Sequence, residues 1–253
     1  MTPFARTFLG VRYDVLDLDT AAAQVAAAAR RERAFRYVVT PNSKWIVRAH
    51  RGDARARTAF ETAWLSLNDS RIVELLAREW FGFRLPTVTG SDLVARLFER
   101  SITPASSLVL VGGSAELEAR LRRRFGVRDL RRLDPPMGLY EDDAALDAAA
   151  RFVCEAPADY VFLICGMPQA EMIAERVAAR GDAGGVGLCV GAAIEFLVDL
   201  RRRAPPAWRR AGLEWLHRLI ADPRGHARRV FVESLPVLIV AAQARWPRRG
   251  AAG

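Results

Sequence analysis

Lysine is almost absent from this sequence: of 38 basic side chains, all but Lys44 are arginines. They exceed the 29 acidic side chains, so the formal net charge is +9. Arginine carries a planar fork that donates two hydrogen bonds to one phosphate. The charge therefore indicates an anionic partner, and by itself leaves nucleic acid, anionic lipid and a phosphorylated substrate open.

Cysteine and histidine are also scarce, with three of each. Cys154, Cys165 and Cys189 lack the spacing of a zinc or redox motif, and each lies in an apolar run. We expect them to be small core residues of a protein in a reducing compartment. The histidines have no serine or cysteine nucleophile beside them, which argues against nucleophilic triad chemistry.

Long apolar runs are missing as well. The nearest candidate, residues 235–242, is shorter than the roughly 20 residues of a membrane span, and Pro236 lies near its start. The first residues show no signal-peptide pattern. These features predict a cytoplasmic protein, or one that is peripheral on the inner face of the cytoplasmic membrane.

Apolar runs alternate with helical patterns up to about residue 200. Continuous Val, Leu and Ile segments at residues 107–111, 160–165 and 185–190 are typical of buried parallel strands, and residues 43–60 carry a helical pattern. We predict an α/β fold, with a Rossmann-like, mostly parallel sheet and helices on both faces. Hydrophobic residues make up 51% of the chain, which is enough for a core.

The pattern changes after residue 200. A basic, proline-containing break at residues 201–206 precedes helical patterns at 208–221 and 224–246. We predict a Rossmann-like domain over residues 1–200 and a basic, amphipathic, α-helical appendage over 201–253. Such a helix can lie on an anionic membrane. Alternatively, it packs on the core and its arginines face solvent.

Polar residues follow the predicted strands. Because parallel strands end at one edge of a sheet, where ligands bind in such folds, we expect distant polar side chains to converge there. The candidates are Thr40, Asn42, Asp69, Asp92, Ser114 and Gln169.

Three of these turns suggest specific chemistry. Gly112-Gly113-Ser114 would let a phosphate approach the backbone at a helix N-terminus, or would form a simple turn with Ser114 as helix cap. Asp69 would be a general base or, as its local pattern favours, a helix N-cap. Asp17-Leu18-Asp19 resembles an Asp-x-Asp metal motif, but its position favours a cap for the helix near Thr20, so we predict no metal site.

The motifs taken together resemble the WecG/TagA/CpsF glycosyltransferases (glycosyltransferase family 26) over residues 38–232. The motifs that carry the resemblance, in chain order, are Thr40-Pro41-Asn42, Asn68-Asp69, Thr89-Gly90-Ser91-Asp92-Leu93, Val111-Gly112-Gly113, Pro135-Pro136-Met137-Gly138, Gly166-Met167-Pro168-Gln169-Ala170-Glu171, Gly187 with Val190-Gly191-Ala192, and Arg203-Ala204-Pro205 followed by Gly212-Leu213-Glu214-Trp215-Leu216-His217-Arg218-Leu219.

The resemblance implies an inverting transfer of a sugar from a UDP donor to an undecaprenyl-pyrophosphate-linked saccharide, without a metal or other cofactor. By the match, Asp69 is the catalytic base. The donor-binding residues implied are Thr40, Asn42, Arg71, Asp92, Gly112, Gly113, Gln169 and Glu171. The residues implied for the acceptor pyrophosphate and the membrane are Arg203, Arg218, Arg224, Arg228 and Arg229.

The chain departs from the family pattern beside the proposed base. The family usually has Asp-Gly where this chain has Asp69-Ser70, and its Pro-x-Gln-Glu is here Pro168-Gln169-Ala170-Glu171. In the appendage, the arginine of Pro223-Arg224-Gly225 follows the proline directly rather than two residues later. These shifts bear on the choice of donor sugar.

Arg71 is a candidate cation for an acidic sugar, although a solvated position in the first turn of a helix explains it slightly better. The donor sugar and the formation of a homo-oligomer stay open.

Other classes of protein remain to be distinguished. The charge suits a nucleic-acid-binding protein, but no helix-turn-helix, zinc or RNA-recognition signature accompanies it, so we predict no nucleic-acid partner. Another nucleotide-dependent Rossmann-like enzyme would carry a full glycine fingerprint, which is absent. A catalytically inactive scaffold is a further alternative, against which the retained Asp69 argues.

Overall fold

The computed structural model describes residues 5–31, 33–155, 157–201 and 227–246, together with Pro205, Trp208, Leu216, Leu219 and Ile220. The strands, in chain order, are β1 (Ala5–Phe8), β2 (Val11–Asp14), β3 (Arg36–Val39), β4 (Leu65–Ser66), β5 (Leu108–Val111), β6 (Leu130–Leu133), β7 (Tyr160–Leu163) and β8 (Val186–Cys189).

The α-helices of the described residues are α1 (Leu18–Ala28), α2 (Ser43–His50), α3 (Arg57–Glu61), α4 (Arg71–Phe81), α5 (Gly90–Arg100), α6 (Ala115–Phe125), α7 (Asp143–Cys154), α8 (Gln169–Arg180), α9 (Ala193–Leu197) and α10 (Val237–Arg245). A 3-10 turn at Leu139–Glu141 precedes α7, and a π-helical turn at Arg229–Ser234 precedes α10.

The central sheet has six parallel strands in the order β4-β3-β8-β7-β5-β6. Its register places Val39 and Leu163 on either side of Cys189, so the strands end at a common edge. A separate antiparallel hairpin joins β1 and β2. The predicted Rossmann-like α/β fold with a parallel sheet is therefore confirmed.

Alternation along each strand builds a core on both faces of the sheet. Val39, Val111 and Leu163 contribute to the core under α2, α3, α4, α7, α8 and α10. Their neighbours Val38 and Leu110 contribute to the opposite core, under α1, α5, α6 and α9. The continuous apolar runs arise because these strands are buried on both sides.

The predicted helix over residues 43–60 is wrong in its middle. The chain leaves the helix at residues 51–56, where Gly52 has φ +87°, and resumes it at α3. Glycine adopts a positive φ without strain, and the helix is interrupted at such a residue.

The end of the described chain packs on the domain. Val237 and Ala241 of α10 are fully buried in the core, and the Arg245 Nε donates to the carbonyl oxygen of Trp80 at 2.9 Å. The predicted helix over 224–246 is thus seen from residue 227 onward, with one π-helical turn. Most of the helix predicted at 208–221 lies outside the described residues. No helix among the described residues is long and apolar enough to span a membrane.

Candidate active site at the carboxyl edge of the sheet

The chain reverses its progress across the sheet between β5 and β7. We call the space beside the carboxyl ends of these two strands the crevice. From β5 the chain continues to β6 on one side, whereas from β7 it continues to β8 on the other. Ligands of open α/β sheets bind at such switch points. Gly112 follows β5 with φ +93°, and a Cβ there would lie 3.5 Å from the backbone nitrogen of Cys165, which follows β7.

The loop after β4 fixes Asp69 beside the end of β3. The Asp69 N–H donates to the carbonyl oxygen of Pro41 at 3.1 Å. Asn68 clamps the loop, because its Oδ1 accepts from the Ser70 N–H at 3.1 Å and its Nδ2 donates to the Ser70 carbonyl at 3.2 Å. Asp69 itself is half-buried.

Ser70 is the N-cap of α4. Its Oγ accepts from the Val73 N–H at 3.4 Å, as expected of a capping side chain. The expectation that Asp69 caps this helix is therefore wrong. Three adjacent residues of capping type, Asn68, Asp69 and Ser70, share this loop, and only the last takes the role.

The start of α5 lies against the same edge. The Val88 N–H donates to the carbonyl oxygen of Asn68 at 2.8 Å, and a Cβ on Gly90 would lie 3.2 Å from the Cβ of Val190, which follows β8. Thr89 caps α5 and its hydroxyl donates to the Asp92 carboxylate at 2.7 Å. Asp92 is thus close to the edge, with its carboxylate engaged in the cap.

Thr40 and Asn42 also have structural partners. The buried Thr40 hydroxyl donates to the Cys189 carbonyl oxygen at 3.1 Å, linking the ends of β3 and β8. The Asn42 Oδ1 caps α2 by accepting from the Lys44 N–H at 3.1 Å. A ligand would therefore meet the oxygen of Thr40 as an acceptor and the amide nitrogen of Asn42 as a donor.

The glycine turn offers fewer backbone donors than its sequence suggests. The Gly112 N–H is used, because it donates to the Leu133 carbonyl oxygen at 2.9 Å. Gly113 has φ +73°, and a Cβ there would lie 2.7 Å from the Leu117 Cδ2. Ser114 caps α6 as expected, accepting from the Leu117 N–H at 3.2 Å. The positive φ explains Gly112 and close packing explains Gly113, and Gly113 keeps the backbone donor that could face a phosphate.

Arg132 is a cation beside this turn that the sequence patterns did not single out. Its Nη1 donates to the Gly113 carbonyl oxygen at 3.3 Å. Its Nε is buried and lacks a hydrogen-bond partner among the described residues, although Glu118 lies 3.7 Å away. Arg132 could not be predicted as a site residue, because two charges in the four residues Leu-Arg-Arg-Leu do not resemble a buried strand.

Gln169 and Glu171 begin α8 behind the crevice. In the described part of the chain, the Gln169 Oε1 and the Glu171 Oε2 are buried without hydrogen-bond partners. Glu171 is only 4% exposed, and burial raises its pKa to about 7. Gln169 is half-buried at the edge, whereas Glu171 is buried. A ligand could therefore donate a hydrogen bond to the Gln169 Oε1 but not to the Glu171 Oε2.

Arg71 and the Asp-x-Asp motif have local roles. Arg71 forms an ion pair of 2.5 Å with Glu74, three residues later on α4. Asp17 accepts from the Thr20 N–H at 2.8 Å, which confirms it as the cap of α1. Within the residues described, no group of three His, Cys, Asp or Glu side chains is arranged to hold a metal.

The C-terminal arginines are mostly beyond the described structure. Arg203, Arg218, Arg224 and the side chain of Arg229 lie outside the described residues. Arg228 is exposed at the helical start of the described C-terminal segment.

The fold defines a Rossmann-like α/β protein with a parallel sheet, and proteins of this kind bind ligands at the carboxyl ends of their strands. The model of the glycosyl transferase WecG/TagA/CpsF family matches residues 6–251, so the chain belongs to that family. It is accordingly a glycosyltransferase of cell-surface polysaccharide biosynthesis. Nucleic-acid binding and another Rossmann-type chemistry are set aside as its primary function.

Proposed function

We propose that the enzyme transfers a hexose, an N-acetylhexosamine or a hexuronic acid from a UDP-sugar to an undecaprenyl-pyrophosphate-linked saccharide, with inversion at the anomeric carbon. The observation that carries the proposal is the position of Asp69 at the carboxyl edge of the sheet, in a loop braced by Asn68, while Ser70 supplies the helix cap. Proteins with such sheets bind ligands at this edge.

Asp69 acts as the general base in this proposal. Its carboxylate accepts the proton of the acceptor hydroxyl as that oxygen attacks the anomeric carbon of the donor. The bond between that carbon and the UDP oxygen breaks on the opposite side, and its electron pair leaves with UDP. A single displacement of this kind inverts the configuration of the anomeric carbon.

The leaving UDP gains negative charge, which the crevice between β5 and β7 would stabilise. Arg132, with an Nε that makes no hydrogen bond to the described residues, and the Gly113 N–H are the donors we assign to the diphosphate. Gln169, Thr40 and Asn42 would bind sugar hydroxyls or the nucleoside. Asp92, Arg71 and the buried Glu171 would shape the pocket through the residues they contact. We propose no metal in this step.

The acceptor would approach from the membrane. Arg203, Arg218, Arg224, Arg228 and Arg229 are the residues we assign to its pyrophosphate and to anionic head groups. In the segment that follows Arg228, Phe231 and Ile239 are 58% and 60% exposed, which suits contact with lipid. We therefore place the enzyme at the inner face of the cytoplasmic membrane as a peripheral protein.

The test is transfer of radiolabelled sugar from a panel of UDP-sugars to short-chain polyprenyl-pyrophosphoryl saccharides. One donor should give product, and Asp69→Asn should lower kcat by about 100-fold or more, the usual contribution of a general base. Asp129→Asn is the matched control, because Asp129 is exposed and immediately precedes β6, at the edge of the sheet opposite to Asp69.

Two results would contradict the proposal. Full activity in Asp69→Asn would assign the base elsewhere, and an absence of product from every UDP-sugar with folded protein would exclude the donor class. Anomeric configuration of the product, read by NMR, tests inversion separately.

A further inference from the structure

One cavity in the described part of the protein is lined by basic side chains. It has a volume of about 520 Å³ and lies between α2, residues 51–56, the 3-10 turn and the π-helical turn. We call it the arginine cavity. Its basic and aromatic residues are Lys44, Arg48, Arg51, Arg55, Arg228 and Tyr140.

Positive charge exceeds negative charge in this cavity. The walls carry five basic side chains but only two carboxylates, Asp53 and Glu233. Lys44 pairs with Glu233 at 2.9 Å. For Arg51 and Arg228, the described residues place no carboxylate within ion-pair distance; Arg51 donates to the Val232 carbonyl oxygen at 3.1 Å. An anion would balance the excess.

The other arginines are held in place before any ligand arrives. Arg48 pairs with Asp53 through its Nε and stacks over the Tyr140 ring at 4.5 Å. The Tyr140 hydroxyl donates to Asp53 at 3.0 Å, and the Arg55 Nε donates to the Tyr140 carbonyl oxygen at 2.9 Å. A guanidinium fixed through one side keeps its remaining N–H groups for a ligand, and phosphate matches their geometry.

The surroundings of the cavity favour an amphiphile. Phe231 and Val232 of the π-helical turn are 58% and 46% exposed beside it. Lys44 lies at the start of α2, three residues after Pro41, whose carbonyl oxygen accepts from the Asp69 N–H. From there α2 extends about 12 Å, the length of eight residues. A lipid phosphate in the cavity would thus lie along a helix that starts at the sheet edge.

We propose that the arginine cavity binds the phosphate group of a lipid, with Arg51 and Arg228 contacting its oxygens and Arg48 supporting them. Two lipids share this chemistry: the pyrophosphate-linked acceptor, whose assignment here rests on the proposed function, and an anionic phospholipid of the membrane. None of the described residues that line the cavity belongs to the donor-binding set proposed above.

The experiment compares wild type, Arg51→Gln, Arg228→Gln, the double variant and the control Arg123→Gln, an exposed arginine of α6. Binding is measured to farnesyl pyrophosphate, to phosphatidylglycerol vesicles and to phosphatidylcholine vesicles. Each charge-assisted hydrogen bond lost should weaken binding by about tenfold to a hundredfold. Arg51→Lys keeps the charge without the fork and should recover part of the affinity.

The outcome also identifies the lipid. A loss confined to farnesyl pyrophosphate assigns the cavity to the acceptor, and one confined to phosphatidylglycerol assigns it to the membrane. Variants that match Arg123→Gln with every probe, while retaining the wild-type melting temperature, overturn the proposal. Binding needs no turnover, so an enzyme that binds farnesyl pyrophosphate here yet transfers no sugar refutes the proposed function alone.

Discussion

The backbone N–H of Asp69 donates to the carbonyl oxygen of Pro41 across a distance of 3.1 Å, and this bond joins the loops that follow β4 and β3. The position of Asp69 is therefore set by main-chain atoms and by the Asn68 clamp, not by its own capping of a helix. Asp69→Asn keeps these main-chain bonds and nearly the same side-chain shape, and it removes the negative charge. This makes Asp69→Asn an informative variant for the catalytic proposal.

The cap of α4 allows a first prediction. Ser70→Ala removes the Oγ that accepts from the Val73 N–H and should cost about 1 kcal/mol of unfolding free energy, whereas Ser70→Gly should cost only a few tenths. Urea denaturation measures both. Because Asp69 is held independently, kcat should stay close to wild type.

Ser114→Ala serves as the comparison for Ser70, since Ser114 caps α6 in the same way. It should lose similar stability. A large fall in kcat in Ser70→Ala alone would show that this hydroxyl contacts substrate. The family's usual glycine at this position is compatible with the small cost expected of Ser70→Gly.

Burial on both faces explains why much of the sheet could be predicted from the sequence. The runs around β5, β7 and β8 are continuously apolar because each strand lies between two layers of helices. In contrast, β6 is an edge strand with exposed Arg131, and its four residues offer no apolar pattern to detect.

The candidate site was predictable in its location and less so in its details. Strand-end polar residues do gather at one edge, as parallel topology requires. Hydrogen-bond partners could not be predicted, because several neighbouring residue types can cap a helix. The arginine cavity could not be predicted from the sequence, because Arg48, Tyr140 and Arg228 lie far apart in the chain and share no local pattern.

Glu171 yields a prediction about pH. Burial raises its pKa from 4.5 to about 7, so the folded state prefers the protonated carboxyl. The associated stability is fully present below the ordinary pKa and is lost as the pH rises toward 7. Glu171→Gln cannot ionise and should therefore be more stable than wild type at pH 8, by about 3 kcal/mol at most, but not at pH 4.

Chemical denaturation of both proteins at several pH values measures this difference. Glu175→Gln removes a more accessible carboxylate from the same helix and serves as the control for loss of a charge. An advantage of Glu171→Gln that is equal at pH 4 and pH 8 would point to packing instead of ionisation.

A third prediction concerns the Asp-x-Asp motif. The Thr20 N–H lowers the pKa of Asp17 through its hydrogen bond, so the contribution of this cap is present above the ordinary pKa and fades in acid. Asp17→Ala should lower the melting temperature at pH 7 without abolishing transfer. EDTA should leave the rate unchanged. Loss of activity on chelation, restored by a divalent cation, would show that metal takes part.

Gly112 gives the last prediction. It distinguishes the effect of backbone strain at Gly112 from the effect of filling the space between β5 and β7. Its φ of +93° should make Gly112→Ala cost about 1 to 3 kcal/mol of stability. The new methyl group would lie 3.5 Å from the backbone of Ile164 and Cys165, an ordinary contact, so the protein should still fold. That methyl group occupies the space between β5 and β7 and should raise the KM for the UDP-sugar.

Gly181→Ala is the matched control for the strain at Gly112. Gly181 has φ +75° at the end of α8, and a Cβ there meets nothing within 4 Å. It should therefore share the loss of stability but keep the wild-type KM. Initial rates over a range of donor concentrations measure both variants. Equal KM values for the two variants would mean that the donor does not approach Gly112, and that the diphosphate binds outside the crevice between β5 and β7.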